Sequence, residues 1–471
     1  METIVIVRNI EYPVYSSPVT PPPPSVEELS ARLEHCKEMM RQRGLTHLLV
    51  YGDREHFANL MYLTNFDPRF EEALLIVRLK DKPLILVGNE CVGHLGVSPL
   101  YVAGELRYER FQTFSLMNQP RNASRRFETI LCEEGIGTES YVGMVGWKYF
   151  SDSELDAPLY ASDIPNYMVD ILRTLVPTNR LVNATDLFIA PSYGMRTYLS
   201  PYEVAFFEYS NVLGSEAMKS LLENFKVGVT DFEQMQSFHY NGFPLSCHMS
   251  IKSHGNQHYG LSSPIGSTIC RGEPCSAGIA YWGSNICRAG WVAESEDDLP
   301  ESAKGYIEEF AVPYFMALRE WLRHLRIGTL GGDLYQLIVE MLPFDKFAVS
   351  LNPGHLIHLD EWLSSPVYEG SEEVIHSGMY IQIDIIPRSP RFSSSRMEEG
   401  IVIADNSLRG AVRKNYPDVY ERCMERRQFM ESLGFELPEE VLPLSNMAGI
   451  IVPFFLKHRS VLSLKLSLIH I

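Results

Sequence analysis

The chain has 471 residues, of which 45% are hydrophobic and 21% charged, a balance that excludes general disorder. It is too long for one hydrophobic core, so at least two domains are expected. Its 41 Lys and Arg face 59 Asp and Glu, a net charge of −18 that argues against nucleic acid or an anionic membrane as partner.

The opening "METIVIVRNIEYPVY" carries no signal-peptide pattern, and no apolar window is long enough to cross a bilayer. The 8 cysteines include no CxxC pair and are too sparse for a disulfide scaffold. Together these features lead to an expected cytoplasmic protein with reduced thiols and no membrane partner. Residues 1–25 end in "PVTPPPPS" and are expected to be a Pro-rich entry segment outside the core. A helix is predicted next: Ser25 with Glu28 three residues on forms a capping box, apolar positions follow at helical spacing, and Gly44 closes it. "THLLVYG", "EEALLIVRL" and "KPLILVG" are short apolar runs with tight connections. They predict the strands of an α/β domain over 26–195, which a helix and a strand within 165–190 complete.

Ser200-Pro201 followed by Glu203 starts a long amphipathic helix, and Thr230 or Asp231 caps another. The pattern is strand-like from 265 to 293 and helical from 302 to 345. It alternates again in "GMYIQIDIIP" and "GIVIAD". This mixture predicts an α+β domain over 196–460. Residues 461–471 form an apolar tail with no predicted place.

The chemistry-bearing residues concentrate in this second region. "CHMSIKSHGNQHYG" holds His248, His254 and His258, which as loop residues need be no more than polar surface. "LNPGHLIHLDEW" holds His355 and His358 beside Asp360 and Glu361. Asp384 is a lone acid on the apolar strand "MYIQIDII", where burial without a partner is costly. Glu398 and Glu399 alternate across a strand, so only one faces inward, and Glu398 is the chosen candidate.

The ordered pieces "LSPYEVAFFEYSNVLGSEAMKSLLENFKVGVTDFEQM", "CRGEPCSAGIAYWGSNICRAGWV", "NPGHLIHLDEW", "SGMYIQIDIIP" and "SRMEEGIVIAD" together resemble the M24 superfamily of creatinase, prolidase and Xaa-Pro aminopeptidase. The resemblance implies a creatinase-type α/β N-terminal domain, a "pita-bread" α+β catalytic domain and a homodimer. Dinuclear members of the superfamily carry two aspartates, one histidine and two glutamates. Here the second aspartate position falls on Asn285, and the first falls in "CSAGIAY", where there is no acid. Asp384 replaces the first glutamate, while His355 and Glu398 match. Two divalent ions facing so few carboxylates would repel each other strongly. Trp362 stands where the family places a second histidine, and is either a drier pocket wall or a packing aromatic.

The expectation is therefore a creatinase-like hydrolase of a C–N bond in a small amino-acid-derived or short-peptide substrate, with no dinuclear metal and no other cofactor. His258 would move the proton, while His355, Asp384 and Glu398 orient substrate and stabilise developing charge. Asn285 and His254 would line the site, and Cys287, two residues on, is a minor nucleophile candidate. By the resemblance, Phe66, Arg69 and Glu72 of one subunit would bind substrate groups in its partner's site. Two alternatives remain open. One is an Xaa-Pro aminopeptidase or dipeptidase holding a single divalent ion (Mn, Zn or Co) on His355, Asp384 and Glu398. The other is a non-catalytic protein that binds a peptide or protein.

Overall fold

The computed structural model describes residues 4–253 and 262–465. The chain divides into two compact units, Pro22–Arg196 and a second built from Met1–Pro21 with Thr197–Ile471. It opens in the second unit, with strand β1 (Val5–Asn9).

In the Pro22–Arg196 unit, helix α1 (Val26–Gln42) starts at Ser25, whose hydroxyl accepts from the Glu28 amide. It stops before Gly44, where the backbone turns to φ +68. Leu29, Leu33, Cys36, Met39 and Met40 recur every three or four residues and form its buried face. A six-stranded sheet follows. Its strands are β2 (His47–Gly52), β3 (Ala73–Arg78), β4 (Leu84–Val87), β5 (Arg107–Arg110), β6 (Val142–Val145) and β7 (Leu181–Asn183), in the order β5-β4-β3-β2-β6-β7. β2 runs parallel to β6 and antiparallel to β3. Every residue of β2, β4 and β6 is buried, the mark of a sheet covered on both faces. Helices α2 (Ala58–Thr64), α3 (Phe127–Glu133) and α4 (Asn166–Leu175) complete the unit. Phe127, Ile130, Met168 and Leu172 from the last two pack on Leu49, Leu74 and Ile76 of the sheet. Each such side chain contributes on the order of 1.5–3 kcal/mol of burial free energy.

The second unit resumes at α5 (Pro201–Glu223), opened by a reciprocal capping box between Ser200 and Glu203 with Pro201 in the first turn. Its sheet has seven strands: β8 (Leu245–Lys252), β9 (Pro274–Tyr281), β10 (Ile286–Trp291), β11 (His355–Leu356), β12 (Tyr380–Ile383), β13 (Arg396–Ile403) and β14 (Val441–Pro443). The order is β11-β12-β13-β10-β9-β8, with β14 beside β13. Helices α6 (Val312–His324), α7 (Gly331–Met341), α8 (Asn406–Asn415) and α9 (Pro417–Leu433) belong to the same unit. Glu208 of α5 accepts from both Arg422 and Arg426 of α9, at 2.7 and 2.6 Å, and all three side chains are buried. Removing Glu208 would leave two guanidinium charges in the interior without their carboxylate, so the triad ties the two helices together.

β15 (Ser460–Leu464) pairs antiparallel with β1, Val5 against Leu464 through Asn9 against Ser460. This departs from the sequence reading at both chain ends. Residues 5–9 are a strand of the second unit rather than an entry segment, and the start of the apolar tail is its partner. Ile10 and Tyr12 are buried with them. Neither end carries a local signal for pairing with a segment some 450 positions away, so the contact is invisible to periodicity. No helix among the described residues is long and apolar enough to cross a membrane.

Candidate functional site

The register of the seven-stranded sheet lines the site residues up across five strands. His355 on β11 pairs with Gln382 on β12. Two residues on, past the end of β12, Asp384 points to the same side. Ile383 pairs with Glu399, so Asp384 stands opposite Glu398 one step further along β13. Glu398 in turn pairs with Cys287 on β10, and Cys287 with Gly278 on β9. Asn285, just ahead of β10, faces Ala280 by the same register. Of these, Gly278, Ala280, Asn285, Cys287, Asp384 and Glu398 line a cavity of about 400 Å³. Glu399 turns to the opposite face, where it pairs with the buried Arg288.

The loop after β11 adds two residues. Leu356 bridges to Ser364, which folds the 357–363 segment back over His355. Glu361 thereby reaches within 3.5 Å of His355 Nε2, and Trp362 lies flat on the imidazole, ring centroids 4.0 Å apart at 15°. His355 itself is fully buried. Gly354, ahead of His355, packs closely on Trp321. It sits at φ +123, and a Cβ there would lie 2.8 Å from the Trp321 ring.

Asn285 is the hub of the polar contacts. Its Nδ2 donates to Glu361 Oε1 at 3.1 Å and to Glu398 Oε1 at 2.7 Å, so one amide uses both N–H groups to join two carboxyls. Its Oδ1 accepts from the Cys287 thiol at 3.2 Å. Arg396 lies 3.3 Å from Glu398 Oε2 and lines the same cavity.

The environments push these groups apart. Burial and then Asp384 raise the Glu398 carboxyl to about 8, so it is protonated at neutral pH. Glu361 goes the other way: burial would raise it, but His355 and the Asn285 amide outweigh that and lower it. Burial would depress the His355 imidazole, yet Glu361 and Asp384 overcome it and hold it up at about 9. The tautomer agrees. Nδ1 is 3.1 Å from the Leu356 carbonyl and must donate to it, so the carboxylates at 3.5 and 3.9 Å favour a second proton on Nε2. Burial and Glu398 push the Cys287 thiol far up, which removes it as a nucleophile.

Several sequence candidates lie elsewhere. His254 and His258 fall outside the described residues. His248 is exposed on β8 at the cavity wall. His358 is buried with Nε2 3.0 Å from Glu203 Oε1, a structural pairing with the start of α5. Phe66, Arg69 and Glu72 belong to the Pro22–Arg196 unit. Phe66 corrects the sequence reading: it is completely buried, its ring 5.5 Å from His94, and offers no surface to a ligand. Arg69 sits at φ +57 and pairs with Asp67 at 3.2 Å. Glu72 accepts from the Tyr51 hydroxyl at 2.7 Å. Glu361 and Arg396 were missed as site residues. Glu361 stood in plain view six residues after His355, but only the fold-back of the loop gives it a role.

The donor set does not fit a pair of divalent ions. Asn285 brings only a neutral amide to the cavity, and Ala280 opposite it brings no donor. Gly278 offers no donor, and a Cβ there would lie 2.5 Å from Cys287 Sγ. The guanidinium of Arg396 already lies 3.3 Å from Glu398 Oε2, where it opposes the approach of a cation. Among the described residues, no three His, Cys, Asp or Glu side chains are arranged to hold an ion.

No family model matches the sequence, and no curated protein matches it. Solved structures match the fold. The prolidase of Pyrococcus horikoshii OT3 aligns with a TM-score of 0.60 at 15% identity, over 79% of this chain and 95% of that one. An Xaa-Pro dipeptidase from Bacillus anthracis gives 0.59 at 13% identity, over 80% and 96%. A variant of Escherichia coli aminopeptidase P gives 0.54 at 15% identity, over 84% and 100%. The fold is thus that of the pita-bread enzymes of the M24 type, an α/β unit and an α+β unit.

Proposed function

We propose that the cavity binds a short peptide and hydrolyses its C–N bond without a dinuclear metal centre. The observation that carries this reading is Asn285 joining Glu361 and Glu398, two carboxyls held in opposite protonation states inside one cavity. Such a separated pair is what general acid–base chemistry needs. Glu361, ionised, takes the proton of the attacking water. Glu398, protonated, gives its proton to the leaving amine. Arg396 and the His355 imidazolium supply fixed positive charge for the oxyanion that forms. Burial, with Asp384 opposite, keeps the Glu398 carboxyl protonated.

The sequence alone favoured a creatinase-like substrate. The similar folds named above belong to prolidase, Xaa-Pro dipeptidase and aminopeptidase P, and this supports a peptide of the Xaa-Pro type instead. A panel of Xaa-Pro dipeptides and creatine, assayed with wild-type protein and with Glu361→Gln and Glu398→Gln, tests it. Cleavage of the dipeptides alone, lost in both variants, supports the reading. Cleavage of creatine, or turnover unchanged by either variant, contradicts it.

One observation favours a second reading. Among the described residues, His355 Nε2 and Asp384 Oδ1 are buried with no hydrogen-bond partner. A single divalent ion between them is the Xaa-Pro peptidase alternative, and turnover that depends on added Mn would select it.

A further inference from the structure

We propose that Cys287 and Gln382 are positioning residues for the acid–base pair: they hold Asn285 so that its amide N–H groups, and not its carbonyl oxygen, face Glu361 and Glu398. This inference rests on the proposed peptide hydrolysis and deepens it. An Asn side chain presents N–H donors on one side and an oxygen on the other, and a half-turn of the amide exchanges them. The exchange would set the oxygen against the ionised Glu361. It would also let the Glu398 proton bond to Asn285 in place of the leaving amine. The orientation therefore decides whether the two carboxyls can perform their two roles.

Two contacts fix it. The Cys287 thiol donates to Asn285 Oδ1 at 3.2 Å, and the same thiol facing the NH2 end of the amide would set donor against donor. The thiol is buried, with Glu398 and Arg396 as further neighbours. Gln382 acts on the backbone. It is fully buried on β12, and its Nε2 donates to the Asn285 carbonyl at 2.6 Å. This bond crosses β13, which lies between β12 and β10. Gln382 pairs there with Gly400, and Asn285 falls opposite the same glycine when the Cys287–Glu398 register is carried on by two residues. Tyr380 spans β13 in the same way, its hydroxyl donating to the Gly283 carbonyl at 2.7 Å. A side chain at position 400 would strike that hydroxyl. Two side chains of β12 thus hold the turn that carries Asn285, and the thiol sets the rotation of its amide. Buried donors of this kind direct a partner more strongly than donors in water do.

The test reads Ala-Pro hydrolysis and the side-chain amide spectrum of the full chain labelled with heavy-nitrogen asparagine. The Asn285 NH2 pair is identified by its disappearance in Asn285→Asp. Glu361→Gln should shift the pair, because Glu361 accepts from it. Cys287→Ala should split or broaden it as the amide samples both orientations, and Cys287→Ser, which keeps an O–H donor, should restore a single pair. In turnover, Cys287→Ala and Gln382→Met should each lower kcat about three- to tenfold with KM unchanged, and Cys287→Ser should recover most of that loss. The wild-type and Glu361→Gln comparison leaves both positioning residues intact, so it decides the matter even where a core variant fails to fold. A pair unmoved by Glu361→Gln, or left unchanged by Cys287→Ala, overturns this inference alone. Equal kcat losses in Cys287→Ala and Cys287→Ser also overturn it, since the donor would then be irrelevant. Ala-Pro left uncleaved by the wild-type protein overturns peptide hydrolysis, and the spectrum then decides the orientation by itself.

Discussion

Trp362 covers the imidazole of His355 with its rings 4.0 Å apart and nearly parallel, and so seals a buried cation from solvent. The indole face is electron-rich, and stacking on an imidazolium adds to the apolar contact. Trp362→Ala should lower unfolding stability by about 1–3 kcal/mol. It should also weaken turnover, because water then reaches His355 and screens its charge. Denaturant unfolding and kcat on an Xaa-Pro dipeptide check both parts.

The titration of the site predicts how stability follows pH. Glu398 rises from 4.5 to about 8 on folding, so its contribution is complete below pH 4.5 and is lost as pH climbs through 8. His355 rises from 6.5 to about 9, so its contribution is lost over the next stretch of the same direction. Both losses fall on the alkaline side, while the lowered Glu361 acts only in acid. Tm should fall between neutral pH and about pH 9. Glu398→Gln should flatten the neutral part of that decline. A Tm that rises over this range would contradict the assignment.

Asn285→Asp is nearly isosteric but removes the amide that joins Glu361 to Glu398. It sets a carboxylate against two carboxyls, at a cost of about 2–4 kcal/mol. Tm should drop at neutral pH and recover in mild acid, where the new carboxyl is protonated. A Tm equal to that of wild type would show that the bridge contributes little.

His358 and His355 are three residues apart and should respond differently. His358→Ala removes one partner of the buried Glu203 and cuts a tie to the start of α5. A loss of about 2–4 kcal/mol with little change in kcat is expected. His355→Ala should abolish turnover. Similar kcat losses from both would contradict the structural role of His358.

Much of the fold was legible in local sequence. Ser25, Ser200 and Thr230 marked helix starts that the structure shows as capped. The apolar runs around 47 and 74 and the alternating run around 380 became β2, β3 and β12. What escaped depends on contacts between distant segments. β1 finds its partner at β15, and Phe66 reads as a substrate-binding aromatic until the unit closes over it. The site was half legible. His355, Asp384, Glu398 and Asn285 lie together as the sheet register demands. Glu361 was not recognised, because its approach to His355 comes from the bridge between Leu356 and Ser364 rather than from strand periodicity.

The central claim is peptide hydrolysis by an Asn285-bridged carboxyl pair in place of two metal ions. Its most direct measurement is the rate of Ala-Pro hydrolysis by protein treated with chelator and shown metal-free by elemental analysis, alongside Glu361→Gln. Turnover that survives chelation and disappears in a folded Glu361→Gln protein is the predicted result. Turnover that vanishes on chelation and returns with one or two equivalents of Mn would contradict it.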